Sequence, residues 1–496
     1  MASILEDNEP HDKDSDSDSD SDSSSDEEEH EIFAAVMESI RLDLLAEYAT
    51  KTRKRCSYWK DRQEFWVLEI GSPMFGSYHV LYPVKFNDGV RWLLKVPVNG
   101  TKEKFTEMDA RALRSEARTM RYIKQKTTIP LPTVFSFSDT CYNELNCPFI
   151  FIEYIDGKSL YEVWFDKTGS KEITHARRTR CLQDLAAAMV QLSPFSFKHA
   201  GSIMMNELHD DDIGPLRQND FASTLQRLHD DTYDRLPIFV EHGPFSDPKE
   251  YYTALLSSHQ EPEADHERGQ LKLLQMFVDW IPEPEPTSGH DPFVLAHWDL
   301  NIQNVLVADD GTVKGIIDWD GVSAVPRSVG NERYPSWLTR DWDPAMYGWN
   351  EGMERGIKPK GLWEDSPETL RRYRSIYAES IRSLSSSPEM SFKLTRNSVV
   401  CENIHIAVLD PLCTFGILQN IVKNIEIVVR EKLSSLFQDD RDSEIEENDS
   451  EHIENDLKYL DIYQLIWALG DDELSECQLK LLREGFRLLL NGEQIL

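Results

Sequence analysis

Asp299 and Asn304 stand five residues apart in HWDLNIQNVLV (297–307), a short polar stretch that runs into the apolar Val305, Leu306 and Val307. Asp318 follows a second apolar run, in GIIDWD (315–320), and Asp309, Asp310 and Gly311 supply a tight turn between the two. Folded as a strand pair, these stretches bring Asn304 and Asp318 side by side, close enough to share one or two Mg²⁺ ions. Hard cations take such oxygen ligands and complete their shell with water and phosphate. Asp299 is then free to accept a hydrogen bond from a substrate hydroxyl and to take its proton. His297 is expected to brace the loop rather than to act as an acid or base. Phosphoryl transfer from a nucleotide asks for little more than this: a cation on the phosphates, oxygens around the metal, and a carboxylate on the attacking hydroxyl.

The cation on offer is Lys95, in LLKVP, flanked by apolar Leu93, Leu94 and Val96. A half-buried ammonium there wants a partner, and Glu116 in the following RSEARTM supplies one. The plain alternative is an exposed strand lysine and a solvated helix glutamate. Gly71 to Gly76 has the makings of a flap whose backbone N–H groups face an anion. It holds only two glycines, and Pro73 removes a donor, so an ordinary hairpin turn fits equally well. FIFIEYIDG (149–157) reads either as an inner strand or as a link between lobes, where an adenine ring would pair with exposed backbone near Glu153 to Ile155.

The elements that must position these groups change in period along the chain. Residues 32–50 show helical spacing, and the basic KTRKR (51–55) that follows reads as a solvated cluster. From 65 the pattern is strand-like: two β-rich runs around Gly71–Gly76, the turn NDG (87–89), and a third strand at 90–98. Helical spacing returns over 102–126 and stops before Pro130 and Pro132. Beyond 157 helices dominate, at 175–192, 218–232, 266–280, 368–384, 403–435 and 455–494, interrupted by the strand pair at 305–320. The division is an N-lobe with its preceding helix over 32–155 and a helical C-lobe over 156–496.

The 496 residues exceed what one core supports, and 40% hydrophobic content allows a substantial core in each lobe. A net charge of −35 argues against a nucleic-acid binder or a protein of anionic membranes. Fourteen acidic residues against one lysine in 1–31 predict a disordered acidic tail, a solubilising segment, a phospho-acceptor tract or a site for protein partners. A second acidic run at 438–456 reads as an exposed loop. Seven scattered cysteines suit a reducing compartment, and without a basic apolar leader or a continuous apolar run of membrane length the expectation is a cytoplasmic protein with no membrane span.

At VRWLLKVPV, SEARTMRYIKQKTTIPLPTVFSF, FIFIEYIDGKSL, HWDLNIQNVLV and GIIDWDG the chain resembles the aminoglycoside phosphotransferase and choline-kinase-like superfamily, and within it the fungal phosphotransferase-domain proteins. VPRSVGNERYPSWL fits the same pattern, and the resemblance covers about residues 60–345. It implies an α+β, protein-kinase-like bilobal fold, with a β-rich N-lobe and a larger, mainly helical C-lobe around a nucleotide cleft. It also implies that Asp299 is the catalytic base, that Asn304 and Asp318 bind Mg²⁺, that Lys95 holds the phosphates of ATP, and that Glu116 fixes Lys95. Trp298 stands where glycine is frequent and narrows the site beside the base, and Asn301 also departs from the usual residue. The implied activity is an ATP- and Mg²⁺-dependent kinase acting on a small-molecule hydroxyl. The alternative is a catalytically weak pseudokinase or nucleotide-binding interaction protein. No peptide-docking segment follows Asp318, which disfavours protein substrates.

Overall fold

The computed structural model describes residues 31–56, 64–204, 213–230, 236–257, 259, 261–282, 291–439 and 460–491. The acidic tail and the acidic loop read from the sequence fall, apart from their edge residues, outside the described ones.

Six antiparallel strands build the N-lobe sheet: β1 (Val67–Ile70), β2 (Met74–Phe75), β3 (His79–Phe86), β4 (Arg91–Pro97), β5 (Val134–Ser138) and β6 (Phe149–Glu153). Their order is β1-β3-β4-β6-β5, with β2 on β3. The period of two sorts the side chains by face. Val80, Tyr82, Val84, Trp92, Leu94 and Val96 are buried in a core shared with the N-terminal helices. The alternate residues of the same strands, His79, Leu81, Leu93 and Lys95, occupy the other face, and Leu81 pairs with Lys95.

The single helix expected over 32–50 is two, α1 (Ala34–Ser39) and α2 (Leu42–Cys56). Ile40 adopts an extended ψ of 127°, and the Arg41 N–H bonds to the carbonyl of Leu145. The break lets each piece lay its apolar side, Val36 in one and Leu45 and Ala49 in the other, on the curved sheet. Arg53 corrects the reading of KTRKR as solvated. It is buried, gives Nη1 to Asp88 at 2.8 Å, and lies over the rings of Phe65 and Phe86. Helix α3 (Glu107–Lys126) begins behind a capping box of Thr106 and Asp109 and buries Glu116 on its inner face.

The C-lobe opens with β7 (Lys158–Ser159), α4 (Leu160–Trp164) and α5 (Lys171–Met189). It contains more β-structure than its sequence suggests. Strands β8 (Ser196–Phe197), β9 (Gly201–Ile203) and β10 (Ile213–Gly214) join β13 (Phe293–Ala296) and β16 (Ser323–Pro326) in a five-stranded sheet, order β10-β9-β16-β13-β8. Between them, β11 (Leu216–Asn219), α6 (Phe221–Asp230) and β12 (Phe239–His242) form a two-stranded insert, followed by α7 (Pro248–Leu256) and α8 (Asp265–Trp280). β14 (Val305–Val307) and β15 (Val313–Ile316) are the expected hairpin, and β7 pairs with β14.

After the short α9 (Glu351–Glu354) come α10 (Pro367–Leu384), α11 (Pro388–Leu409), α12 (Pro411–Asp439), α13 (Ile462–Gly470) and α14 (Glu476–Asn491). The helix expected over 403–435 is divided at Asp410, because Pro411 has no N–H to continue α11 and serves instead as the first residue of α12. The helix expected to end at 494 is likewise divided, at a turn where Asp472 takes a φ of 58°. Within α12, Pro411–Lys432 is long and apolar enough to cross a bilayer by length and composition alone. Half of that stretch is buried in the lobe, with Ile417, Leu418, Ile421 and Ile425 in the main core. Gln419, Asn420 and Asn424 interrupt its sequence, so it does not read as one apolar run.

Candidate active site

The loop between β13 and β14 is held from behind. His297 donates from Nε2 to the carbonyl of Ile317 at 3.0 Å, and its ring meets Trp319 edge-on at 4.7 Å. Burial pushes this imidazole down to about 4, so it is neutral at pH 7. His297 therefore ties the Asp299 loop to the residue that precedes Asp318. Arg333 supplies the second tie. One guanidinium arm donates to the carbonyls of His297 (3.0 Å) and Trp298 (2.6 Å), and the other to Glu402 of α11 (2.7 Å).

Asn304 points inward across this loop. Its Nδ2 donates to the Asp299 carbonyl at 3.0 Å and to the Asp299 carboxylate at 2.9 Å. Burial and the nearby charge of Asp318 raise the Asp299 pKa, against the pull of Arg333 and Asn304. A raised pKa makes the ionised carboxylate a better proton acceptor.

Lys95 lies across the cleft, with Nζ 2.7 Å from Glu116 and 3.1 Å from Asp318. Burial opposes its charge, but Glu116, Asp318 and Asp320 outweigh burial and hold its pKa above the ordinary lysine value. Lys95 in turn is the largest cause that keeps Asp318 far below the usual carboxylate range. Glu116 is pushed upward by burial, with Lys95 pulling the other way. Asp318 has a φ of 60°, a left-handed conformation that an aspartate tolerates better than most residues but still pays strain for. Its side chain is about half exposed, whereas Lys95 and Glu116 are buried.

The two proposed metal ligands flank one end of the hairpin. Val305 pairs with Ile316, and the Ile317 N–H reaches the Asn304 carbonyl at 2.9 Å, so Asp318 stands one residue past that rung. In this arrangement the Asn304 amide is turned to Asp299 and the Asp318 carboxylate to Lys95. Among the described residues no three His, Cys, Asp or Glu side chains converge into a self-sufficient metal cage. A carboxylate kept ionised and half exposed, one residue past the backbone rung of Asn304, is the kind of oxygen ligand Mg²⁺ accepts when phosphate and water supply most of its shell.

The adenine-side residues divide differently. The Glu153 carboxylate accepts from Thr133 N (3.1 Å) and Oγ1 (2.7 Å), and its N–H bonds to the Thr133 carbonyl. That side chain is a sheet brace. Ile155 lies where the chain has left β6, so close to β15 that a Cβ on Gly315 would stand 2.6 Å from its Cδ1. In the 71–76 turn, Gly71 N–H bonds to Pro83 and Gly76 N–H to His79. Both glycine donors are thus spent within the hairpin, in line with the plain-turn alternative.

Three contributors went unrecognised in the sequence. Asp320 closes the quoted GIIDWD and lines the cleft beside Lys95. Arg333 lies in the quoted VPRSVGNERYPSWL, but nothing in that string shows that it binds loop carbonyls. Glu402, far along the chain, carried no signal at all. A cavity of about 500 Å³ joins Asp299, Asp318, Asp320 and Glu402 beneath the insert. Trp298 forms part of its wall, edge-on to His405 at 5.9 Å and in contact distance of Gly321. The insert reaches over to α3, where Arg217 bonds Asp109 (2.9 Å) and Glu241 bonds Arg111 (2.7 Å).

Residues 82–328 match the family described as "Phosphotransferase enzyme family". The chain is similar to "Altered inheritance of mitochondria protein 9, mitochondrial" of Candida dubliniensis, at 29% identity over 154 residues, covering 31% of this chain and 24% of that protein. The protein of the same name from Eremothecium gossypii is 22% identical over 355 residues, 63% of this chain and 57% of the relative. The chain therefore matches about a quarter to just over half the length of these relatives. A putative aminoglycoside phosphotransferase from Ralstonia eutropha is similar in structure at 12% identity and a TM-score of 0.40, covering 86% of this chain and 97% of that one.

Proposed function

Because this chain belongs to the aminoglycoside phosphotransferase and choline-kinase-like superfamily, we propose that it is an ATP- and Mg²⁺-dependent kinase that phosphorylates a hydroxyl of a small molecule. One observation carries the reading: a buried ammonium bridges Glu116 and Asp318 on one side of a cleft whose other side holds Asp299 in a braced loop. Charge neutralisation and positioning are what phosphoryl transfer needs from a protein.

Lys95 contacts the nucleotide phosphates and is kept extended by Glu116. Asp318 and Asn304 hold Mg²⁺, which supplies charge neutralisation between the phosphates when bound. Ile155 presents the backbone edge at which adenine docks, with Glu153 fixing the strand that ends there. Asp299 orients the acceptor hydroxyl and receives its proton, while Asn304, His297 and Arg333 fix the loop around it. Trp298 favours the pseudokinase alternative by its bulk, yet the cavity beside Asp299 stays open. The direct test is calorimetry of ATP binding with and without Mg²⁺, beside an Asp318→Ala variant. Mg²⁺-dependent binding that the variant loses supports the reading, and no binding in wild type overturns it.

A further inference from the structure

Neither glycine N–H of the 71–76 turn is free to meet an anion, and the register of the N-lobe sheet brings a different donor to that place. Along β4, Trp92 pairs with Glu153 at the edge proposed for adenine, Lys95 follows further on, and Pro97 pairs with His79. Alternate residues share a face, and Leu81 is the partner of Lys95, so His79 faces the same side as the lysine. His79 therefore stands about 7 Å beyond Lys95 along the sheet, on the side away from adenine. It is half-buried, and with Lys95, Glu116 and Asp320 it lines a cavity of about 350 Å³. That cavity shares Tyr78, Arg217, Phe239 and Asp320 with the 500 Å³ cavity that holds Asp299, so the ring lies where the lysine side meets the acceptor side. The ring forms no hydrogen bond with a described residue, and neither of its nitrogens is among the sealed, unpartnered polar atoms of the interior. Both nitrogens are thus reachable from the cavity. Desolvation in the cleft, and then the Lys95 charge, hold its pKa below the ordinary value, so at pH 7 it is a neutral imidazole with one N–H to give.

We propose that His79 is a phosphate-binding residue, its ring N–H donating to the outer phosphates of a nucleotide whose inner phosphates Lys95 holds. The inference deepens the kinase reading and rests on it. A neutral donor suits the position. A second cation so close would repel Lys95, whereas an imidazole N–H adds a hydrogen bond to a charged oxygen without that repulsion. The donor comes from a side chain on a strand, which makes up for a turn whose glycine N–H groups are spent within the hairpin. The plain alternative is a ring that only fills the cavity wall, and phenylalanine would fill it equally well.

The test is calorimetry of ATP and of AMP, each with Mg²⁺, on wild type and on His79→Phe, His79→Gln and His79→Asn. H79F keeps a flat ring but has no donor. It should lower ATP affinity roughly ten- to a hundredfold, the worth of one hydrogen bond to a charged group, and AMP affinity by less than about twofold. His79→Leu takes its place if H79F does not fold. Gln and Asn carry an amide N–H near the positions of Nε2 and Nδ1, and at least one of them should bind ATP within about fivefold of wild type. Unchanged ATP affinity in H79F, equal losses of ATP and AMP, or failure of both amides to restore ATP binding overturns the proposal and leaves the kinase reading standing. Wild-type protein that binds no ATP in the presence of Mg²⁺ overturns the kinase reading, and the role of His79 falls with it.

Discussion

Replacing Lys95 with Met removes a charge from a site built to hold two opposite ones. Lys95 and Glu116 are 6% and 4% exposed and 2.7 Å apart. The methionine fills most of the space, so the loss is electrostatic rather than a cavity. Breaking a buried pair from one side costs about 3–5 kcal/mol, because the remaining charge is left without compensation. Glu116 can escape part of that cost by taking a proton, since burial already pushes its pKa up and the variant removes the lysine that pulls it down.

A carboxyl whose folded pKa exceeds its unfolded value binds more protons when folded. Its contribution is present at low pH and is lost as pH rises through the folded pKa. The variant's stability should therefore fall as pH rises from 5.5 towards 8, by up to ~1.4 kcal/mol for each pH unit below the folded pKa. Urea denaturation of wild type and Lys95→Met at both pH values measures the difference. The double variant Lys95→Met/Glu116→Gln should regain most of the stability and flatten the pH dependence, while ATP affinity stays lost. A deficit that grows on acidification, or a double variant no more stable than the single one, refutes the reasoning.

Asp299→Asn should retain ATP binding by calorimetry and lose about 10²–10⁴-fold in transfer to the acceptor, because only the proton acceptor is removed. His297 and His405, held by burial at about 4 and about 3, are charged only in the unfolded chain between those values and 6.5. Such depressed groups favour the folded state above pH 6.5 and cost it progressively as pH falls, together about 4 kcal/mol between pH 7 and pH 5. His405→Gln should remove about half of that acid sensitivity in urea midpoints, and an unchanged slope contradicts it. Gly269→Ala places a Cβ 1.9 Å from the Ile466 carbonyl, which belongs to helix backbone and cannot swing aside. It should separate α8 from α13 and cost about 1–3 kcal/mol in thermal or urea unfolding.

Residue type and order made part of the site legible. A lysine between apolar strand neighbours must find a partner, and an Asp-x-x-x-x-Asn loop before a hairpin announces oxygen chemistry. Those are local facts, and the cleft gathers Lys95, Glu116, Asp299, Asn304 and Asp318 from them. Glu402 was illegible because its role comes from the packing of α11 on a loop a hundred residues earlier, through Arg333. The C-lobe sheet was missed for a related reason. Strands of two to four residues carry too little alternation to register, and only their neighbours make them strands. The periodicity of 32–50 was genuine, yet it ran unbroken through Ile40, where curvature of the sheet beneath decides that the backbone must turn.

The insert's grip on α3 has a mechanical consequence. Arg217–Asp109 and Glu241–Arg111 fasten the helix that carries Glu116 to a piece of the larger lobe, while the strand that carries Lys95 belongs to the smaller one. Rocking the lobes apart would shear the Lys95–Glu116 pair or tear both clasps. The cleft is thus geared: α3 travels with the larger body. Its amides should show hydrogen-exchange protection that tracks that body rather than the N-lobe sheet, and an interlobe opening should be read first as slippage along the line between β4 and α3.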